Sequence, residues 1–148
     1  MIILREFSEK DINEITILMT KLCLLKGQEF DEVCWRESLE TRIKKEYNLK
    51  IIVAFNKDTE QVLGMAHFSI KNTETGDRIG VISNLIVKKD KRREGIGEML
   101  MRQGIDYFRS NHIQSIRLAL KTSQSKAAKE LFAKLGFEKI FMIFELKI

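Results

Sequence analysis

The chain contains no proline. The commonest marker of turns and linkers is therefore missing, and boundaries must be read from glycine, asparagine, aspartate and charge. Cysteine is scarce. Cys23 and Cys34 are the only two, and neither has a histidine nearby, which argues against a metal site. The chain opens MIILREFSEKD, without the layout of a secretory signal. Both cysteines are accordingly expected to be reduced, small apolar fillers in a cytoplasmic protein. Long apolar runs are missing too. The longest are four or five residues, far short of the ~20 needed to span a membrane as a helix. There is no internal repeat and no low-complexity tract.

What is present suits one soluble globular domain over residues 1–148. Apolar residues make up 44% and charged ones 32%, the balance of a folded domain. A chain of this size can bury roughly 70% of its unfolded surface, enough for a core. The net charge is +5 and the pI about 9.2. Such a balance invites a nucleic-acid reading, but the positive charge is spread along the chain, and its densest stretch has another explanation.

That stretch is Asn84 to Met101, NLIVKKDKRREGIGEMLM. Leu85, Ile86 and Val87 suit a buried strand. Lys88, Lys89, Lys91, Arg92 and Arg93, against Asp90 and Glu94, form a basic loop. Gly95, Ile96 and Gly97 then open a helix whose apolar face carries Ile96, Met99, Leu100, Gly104 and Tyr107. A helix start offers free N–H groups and a positive dipole end, and glycine lets a phosphate approach the backbone. The stretch reads as a pyrophosphate cradle, or more plainly as a strand-to-helix turn with a solvated basic loop. It is not a P-loop, since no Gly-Lys-Ser/Thr follows, and it lacks the third glycine of a dinucleotide fingerprint, because position 100 is leucine.

The remaining pattern gives the order β-α-α-β-β-β-α-β-α-β. Ile2 to Phe7 is a strand. Ser8 and Asp11 form a capping box ahead of a helix with Ile12, Ile15, Leu18, Met19, Leu22 and Leu25 on one face, ending at Gly27. Asp31 can cap a second helix bearing Trp35, Leu39 and Ile43. Leu49–Phe55 and Gln61–Lys71 are strands around the turn 56–60, and Arg78–Val87 follows a turn at 72–77. The Gly95 helix runs to about Ser110, Gln114–Lys121 is a strand, and a last helix starts at Ser123 or Ser125 and stops at Gly136. Phe137–Ile148 can add one or two closing strands. This order suits an α/β domain of the α+β type: a mixed, mostly antiparallel twisted sheet with helices on both faces.

Arg92-Arg93-Glu94-Gly95-Ile96-Gly97 fits the pattern Arg/Gln-x-x-Gly-x-Gly/Ala. Downstream, Ala128-x-x-x-Phe132-x-x-Leu135-Gly136-Phe137 fits a closing helix with a Leu-Gly-Phe ending. Together, in this order and spacing, they resemble the GNAT superfamily of N-acetyltransferases over nearly the whole chain. The resemblance implies transfer of an acetyl group from acetyl-CoA to a primary amine of a small-molecule or peptidyl acceptor, by direct attack in a ternary complex and without a metal. It implies that the backbone of Arg93 to Glu98 faces the pyrophosphate, and that Leu85, Ile86 and Val87 hold the pantetheine arm between splayed fourth and fifth strands. It also puts Arg92, Ser125 and Phe132 at the cofactor.

The proton-handling groups are less clear. Where the family often carries a tyrosine acid, this chain has Phe132, and the usual asparagine is Ser125. The usual carboxylate positions are Ser83, Asn84 and Leu120, and Lys89 and Lys91 replace the loop's proline and aromatic. A thiol has a pKa of roughly 8.5, so expelling a thiolate needs little help, whereas a primary ammonium is mostly protonated at pH 7. Base candidates are His67, Glu29, Asp31, Tyr107 and Tyr47. Each has a plain alternative, for His67 a packed or surface strand histidine. The acidic segment Gln28–Glu32 is either a solvated loop or a rim for a cationic acceptor. A catalytically weak or inactive acyl-CoA-binding module is the alternative to an enzyme. The apolar tail FMIFELKI could pair with a second copy to form a homodimer.

Overall fold

The computed structural model describes residues 1–25, 29–45, 49–88, 95–119 and 126–148, with only the backbone of 22, 25 and 43–45. The elements are β1 (Ile2–Glu6), α1 (Ile12–Leu25), α2 (Glu32–Lys45), β2 (Leu49–Asn56), β3 (Gln61–Asn72), β4 (Arg78–Val87), α3 (Ile96–Ser110), β5 (Ile116–Leu118) and α4 (Lys126–Lys134). The strands form one sheet in chain order, β1-β2-β3-β4-β5. The first four are antiparallel, and β5 is parallel to β4 because α3 crosses between them.

Local chemistry sets the turns. Asn56 Oδ1 accepts the backbone N–H groups of Asp58 (2.9 Å) and Thr59 (3.3 Å), closing the β2–β3 hairpin as an Asx turn. The β3–β4 turn closes through Thr73 N–H to the Asp77 carbonyl at 2.8 Å. Ahead of α1, the Ser8 N–H donates to Asp11 Oδ2 at 2.8 Å, and the Arg5 guanidinium forks onto both oxygens of Asp11, each at 2.8 Å. The pairing of Ser8 with Asp11 holds, although it opens a short 3-10 turn (Glu9–Asp11) that leads into α1.

The core lies on both faces of the sheet. On one face Ile52, Ala54, Leu63, Ala66, Phe68 and Ile82 pack against Ile96, Leu100, Met101 and Phe108 of α3, with Leu131 and Phe132 of α4 beside them. On the other, Ile51, Val53, Val62, Met65 and Ile86 meet Ile15 and Leu18 of α1 and Leu39 of α2. Burying each large apolar side chain contributes roughly 1.5–3 kcal/mol. Of the stripes expected on α1 and α2, Ile15, Leu18 and Leu39 are buried, with Ile12, Met19 and Trp35 packed against them, while the side chains of Leu22, Leu25 and Ile43 lie outside the described residues.

Three expectations need correction. No closing strand is found after α4 among the described residues. Residues 137–148 run without a described strand partner, and Ile140 to Phe144, Leu146 and Ile148 are exposed. Ile140 to Phe144 is apolar at every position, so it lacks the period of two that seats one strand face on a core and leaves the other in water. β5 is shorter than expected, only Ile116–Leu118, with 120–125 outside the described residues. Cys34 is an exposed free thiol rather than a buried filler, because it lies in the first turn of α2 on the outward side, and Cys23 is half-buried.

Candidate active site

The sheet opens beside β4. Its pairing with β5 covers only Gly80, Val81 and Ile82, opposite Ile116, Arg117 and Leu118. From Ser83 to Ile86 the outer edge of β4 has no partner strand among the described residues. On the inner edge β4 stays paired with β3, except for a register break between Met65 and His67. Asn84 sits at this bulge with φ of 49°, in the left-handed region. Asparagine tolerates that conformation better than most residues. Asn84 is exposed at this break, while Ile82 and Ile86 on either side of it in sequence are buried on opposite faces of the sheet.

The end of β4 lies beside the start of α3. Gly95 is in the left-handed conformation (φ 81°), and Ile96, buried in the core, begins the helix. The first N–H groups of a helix have no intrahelical acceptor, so those of Ile96, Gly97 and Glu98 have no acceptor within α3. A Cβ at Gly97 would lie 3.9 Å from Val87 and 3.6 Å from Leu131, so β4, α3 and α4 converge there. The structure thus brings Leu85, Ile86, Val87, Gly95, Ile96, Gly97 and Phe132 into one region. Arg92, Arg93, Glu94, Ser125, Leu120 and Tyr47 lie outside the described residues.

Glu98 is engaged by its side chain as well. Its carboxylate accepts hydrogen bonds from Arg102 within α3 and from Lys134 on α4, and those two bonds, Lys134 first, hold its pKa below the usual range. The bridge pins α4 against the helix start. Spacing along the chain gives no sign of it, since the two residues are far apart in sequence. Phe132 is half-buried, with its ring 6.2 Å from that of Phe137. It has no group to donate a proton.

The base candidates separate clearly. His67 is 1% exposed on β3, opposite Ser83 of β4. Burial, and secondarily the charge of Arg42 on α2, lower its pKa to about 4, so it is neutral at pH 7. Its Nδ1 lies 3.4 Å from the Asn84 side-chain nitrogen, and its Nε2 has no hydrogen-bond partner among the described residues. Asp31 is occupied as the cap of α2: its Oδ1 accepts the Cys34 N–H at 3.0 Å, which holds its pKa down. Glu29 is exposed. Tyr107 packs into the core, its ring stacked on Phe68 at 6.1 Å. Of the acidic segment, residues 29–32 flank the cap of α2, with Phe30 against Trp35 at 5.9 Å.

Among the described residues, no group of three or more His, Cys, Asp and Glu is arranged to hold a metal ion, and no helix is long and apolar enough to cross a membrane.

The architecture is shared with several solved structures. A transcriptional regulator from Bacillus halodurans superposes with a TM-score of 0.83 at 21% identity, covering 100% of both chains. A predicted acetyltransferase with acetyl-CoA from Clostridium acetobutylicum gives 0.78 at 19% identity, over 99% of this chain and 96% of that one. Glucosamine-6-phosphate N-acetyltransferase from Arabidopsis thaliana gives 0.77 at 13% identity, over 99% and 98%. At these identities the likeness is one of fold. No curated protein matches by sequence. The model of the acetyltransferase (GNAT) domain matches residues 3–145, and with that match the chain belongs to the GNAT acetyltransferase family, whose members transfer acetyl groups from acetyl-CoA.

Proposed function

We propose that residues 1–148 form one N-acetyltransferase domain that moves an acetyl group from acetyl-CoA to a primary amine by direct attack in a ternary complex. The observation that carries this reading is the nearness of two features: the edge of β4 from Ser83 to Ile86, which has no strand partner among the described residues, and the α3 start at Gly95 beside it. An extended ligand with amide groups can add to a sheet edge, and a diphosphate suits exposed N–H groups at a helix start. These two features support a site for the co-substrate's amide-bearing arm and its diphosphate.

In this reading, main-chain groups of Leu85, Ile86 and Val87 bind the amide-bearing arm. The N–H groups of residues 93–98, with Arg92 and Arg93, bind the diphosphate, and Ser125 and Phe132 border it. Acetyl-CoA supplies the acetyl group as an activated thioester. A backbone N–H at Leu85 or Val87 polarises the acyl carbonyl, a contribution of roughly 3 kcal/mol per donor in comparable sites. Phe132 leaves the thiolate to depart without a tyrosine acid, which its modest basicity permits.

The acceptor is a small-molecule or peptidyl amine. A cationic one suits the exposed carboxylates of Glu29 and Glu32. The exposed tail supports association with a second copy. Purified protein incubated with acetyl-CoA and a panel of primary amines is expected to release thiol only when an amine is present. Tight acetyl-CoA binding with no thiol release from any amine would instead favour the acyl-CoA-binding module, the reading that Phe132 at the acid position keeps in view.

A further inference from the structure

Three residues other than glycine have left-handed backbones among the described residues: Glu60, Asn84 and His112. Glu60 is in a hairpin turn and His112 follows a helix end, where such conformations are routine. Asn84 alone lies within a strand. Backbone strain of this kind costs of order 1–3 kcal/mol and persists where neighbours over-determine it. The neighbour is His67, a buried imidazole whose one described side-chain partner is the Asn84 amide at 3.4 Å.

We propose that His67 is a positioning residue: its Nδ1 holds the amide nitrogen of Asn84, so that the Asn84 side-chain oxygen faces the break in the sheet and receives an N–H of the acceptor amine. This rests on the acetyltransferase reading and deepens it by naming a group that meets the acceptor.

A neutral imidazole has one bare nitrogen and one that carries hydrogen. An amide NH2 can only donate, so Nδ1 must be bare and the proton sits on Nε2. Once the amide nitrogen is committed to His67, Asn84 has only its oxygen, an acceptor, left to offer. That suits a ligand that brings N–H donors. Asn84 lies in the same short segment as Leu85 and Val87, where the acyl carbonyl is expected. The amine held there has its lone pair free for attack while one N–H rests on Asn84. Asn84 does not ionise, so this contact orients the amine and does not deprotonate it. Seating His67 out of water keeps the imidazole neutral, and a protonated ring could not accept the bond. Burial and the charge of Arg42 on α2 both act in that direction.

Two measurements test this on the full chain. In the first, nitrogen NMR of protein labelled in histidine reads the tautomer. A bare Nδ1 and a protonated Nε2 on His67 at neutral pH are expected, and hydrogen on Nδ1 overturns the proposal. In the second, steady-state rates of thiol release are taken with ethanolamine, spermidine, L-lysine amide and glucosamine 6-phosphate, and the best of these is used for the variants. His67→Leu and Asn84→Leu should each raise the amine KM about three- to tenfold, roughly the value of one hydrogen bond, without moving the acetyl-CoA KM. The double variant should lose no more than either single, as coupled partners do. His67→Asn, whose side-chain oxygen can stand near the place of Nδ1, should recover most of the loss. Parent-like amine KM in His67→Leu, or full additivity in the double variant, overturns the positioning role alone. No thiol release from the parent with any of the four amines overturns the acetyltransferase reading, and this role with it.

Discussion

Phe68 of β3 and Gly104 of α3 touch directly: a Cβ at position 104 would stand 2.7 Å from Cε1 and 3.0 Å from Cζ of the Phe68 ring. Phe68 is fully buried and is flanked by the rings of Tyr107 and Phe108, so it has nowhere to move. Gly104→Ala would gain up to ~1 kcal/mol in helix propensity but incur an overpacking cost of about 1–3 kcal/mol. The expected net result is a loss of stability and a lower Tm by about 2–5 °C, read by thermal denaturation. A stabilised variant would show that α3 is not seated on the Phe68 ring.

Gly95 permits a test of the diphosphate site that leaves the core alone. A Cβ there meets nothing within 4 Å among the described residues, and the backbone is left-handed. Gly95→Asn tolerates that backbone and should fold with little change. Gly95→Glu adds a negative charge at the helix start, where the ligand's own charge is expected. Calorimetry should show coenzyme A affinity reduced about tenfold or more relative to Gly95→Asn, consistent with the ~1.4 kcal/mol that a factor of ten requires. Equal affinities would place the diphosphate elsewhere.

His67 makes stability fall on mild acidification. The unfolded imidazole titrates near 6.5 and the folded one near 4. Above pH 6.5 both forms are neutral and no proton linkage acts. Between about pH 6.5 and 4 the unfolded chain takes up a proton that the folded chain refuses, so stability drops through that window. The full difference is about 3 kcal/mol at 1.36 kcal/mol per unit. Chemical denaturation from pH 7.5 to 4.5 should show this slope, and His67→Leu should flatten it.

Asp11 acts lower on the pH scale. Burial raises its pKa, but the Arg5 hydrogen bond and the Ser8 N–H outweigh that and bring it below the usual carboxyl value. Its contribution is present above about pH 4, the ordinary aspartate range, and is lost as pH falls through the lower folded value. Asp11→Ala strips the acceptor from Arg5 and Ser8 together, and a cost of about 2–4 kcal/mol is expected at pH 7. A loss below ~0.5 kcal/mol in urea titrations would mean that the fork onto Asp11 does not form.

Periodicity made the frame readable. β4 has the bounds its composition suggests, Arg78–Val87, and α3 begins one residue after Gly95 and ends at Ser110 as its apolar spacing requires. Gly136 is left-handed (φ 93°) just after α4, as a helix stop should be. What spacing could not reveal depends on contacts between distant segments. Glu14 of α1 accepts the Val62 N–H at 2.9 Å where β3 is irregular, and Lys134 reaches Glu98 from another helix. The site was half legible. The Gly95–Gly97 turn announces itself because glycine needs no neighbour to explain it. The pairing of His67 with Asn84 does not, since it depends on a bulge that inserts one residue between β3 and β4. An asparagine next to the apolar run Leu85-Ile86-Val87 of β4 was the available signal.

β5 leaves β4 after three paired positions, so the outward-facing N–H groups from Ser83 to Ile86 have no strand partner on that side among the described residues. Their protons should trade with deuterium at a pace set by whether that edge is filled, not by how often the whole chain unfolds. The missing rungs make this stretch of main chain a gauge of its own occupancy.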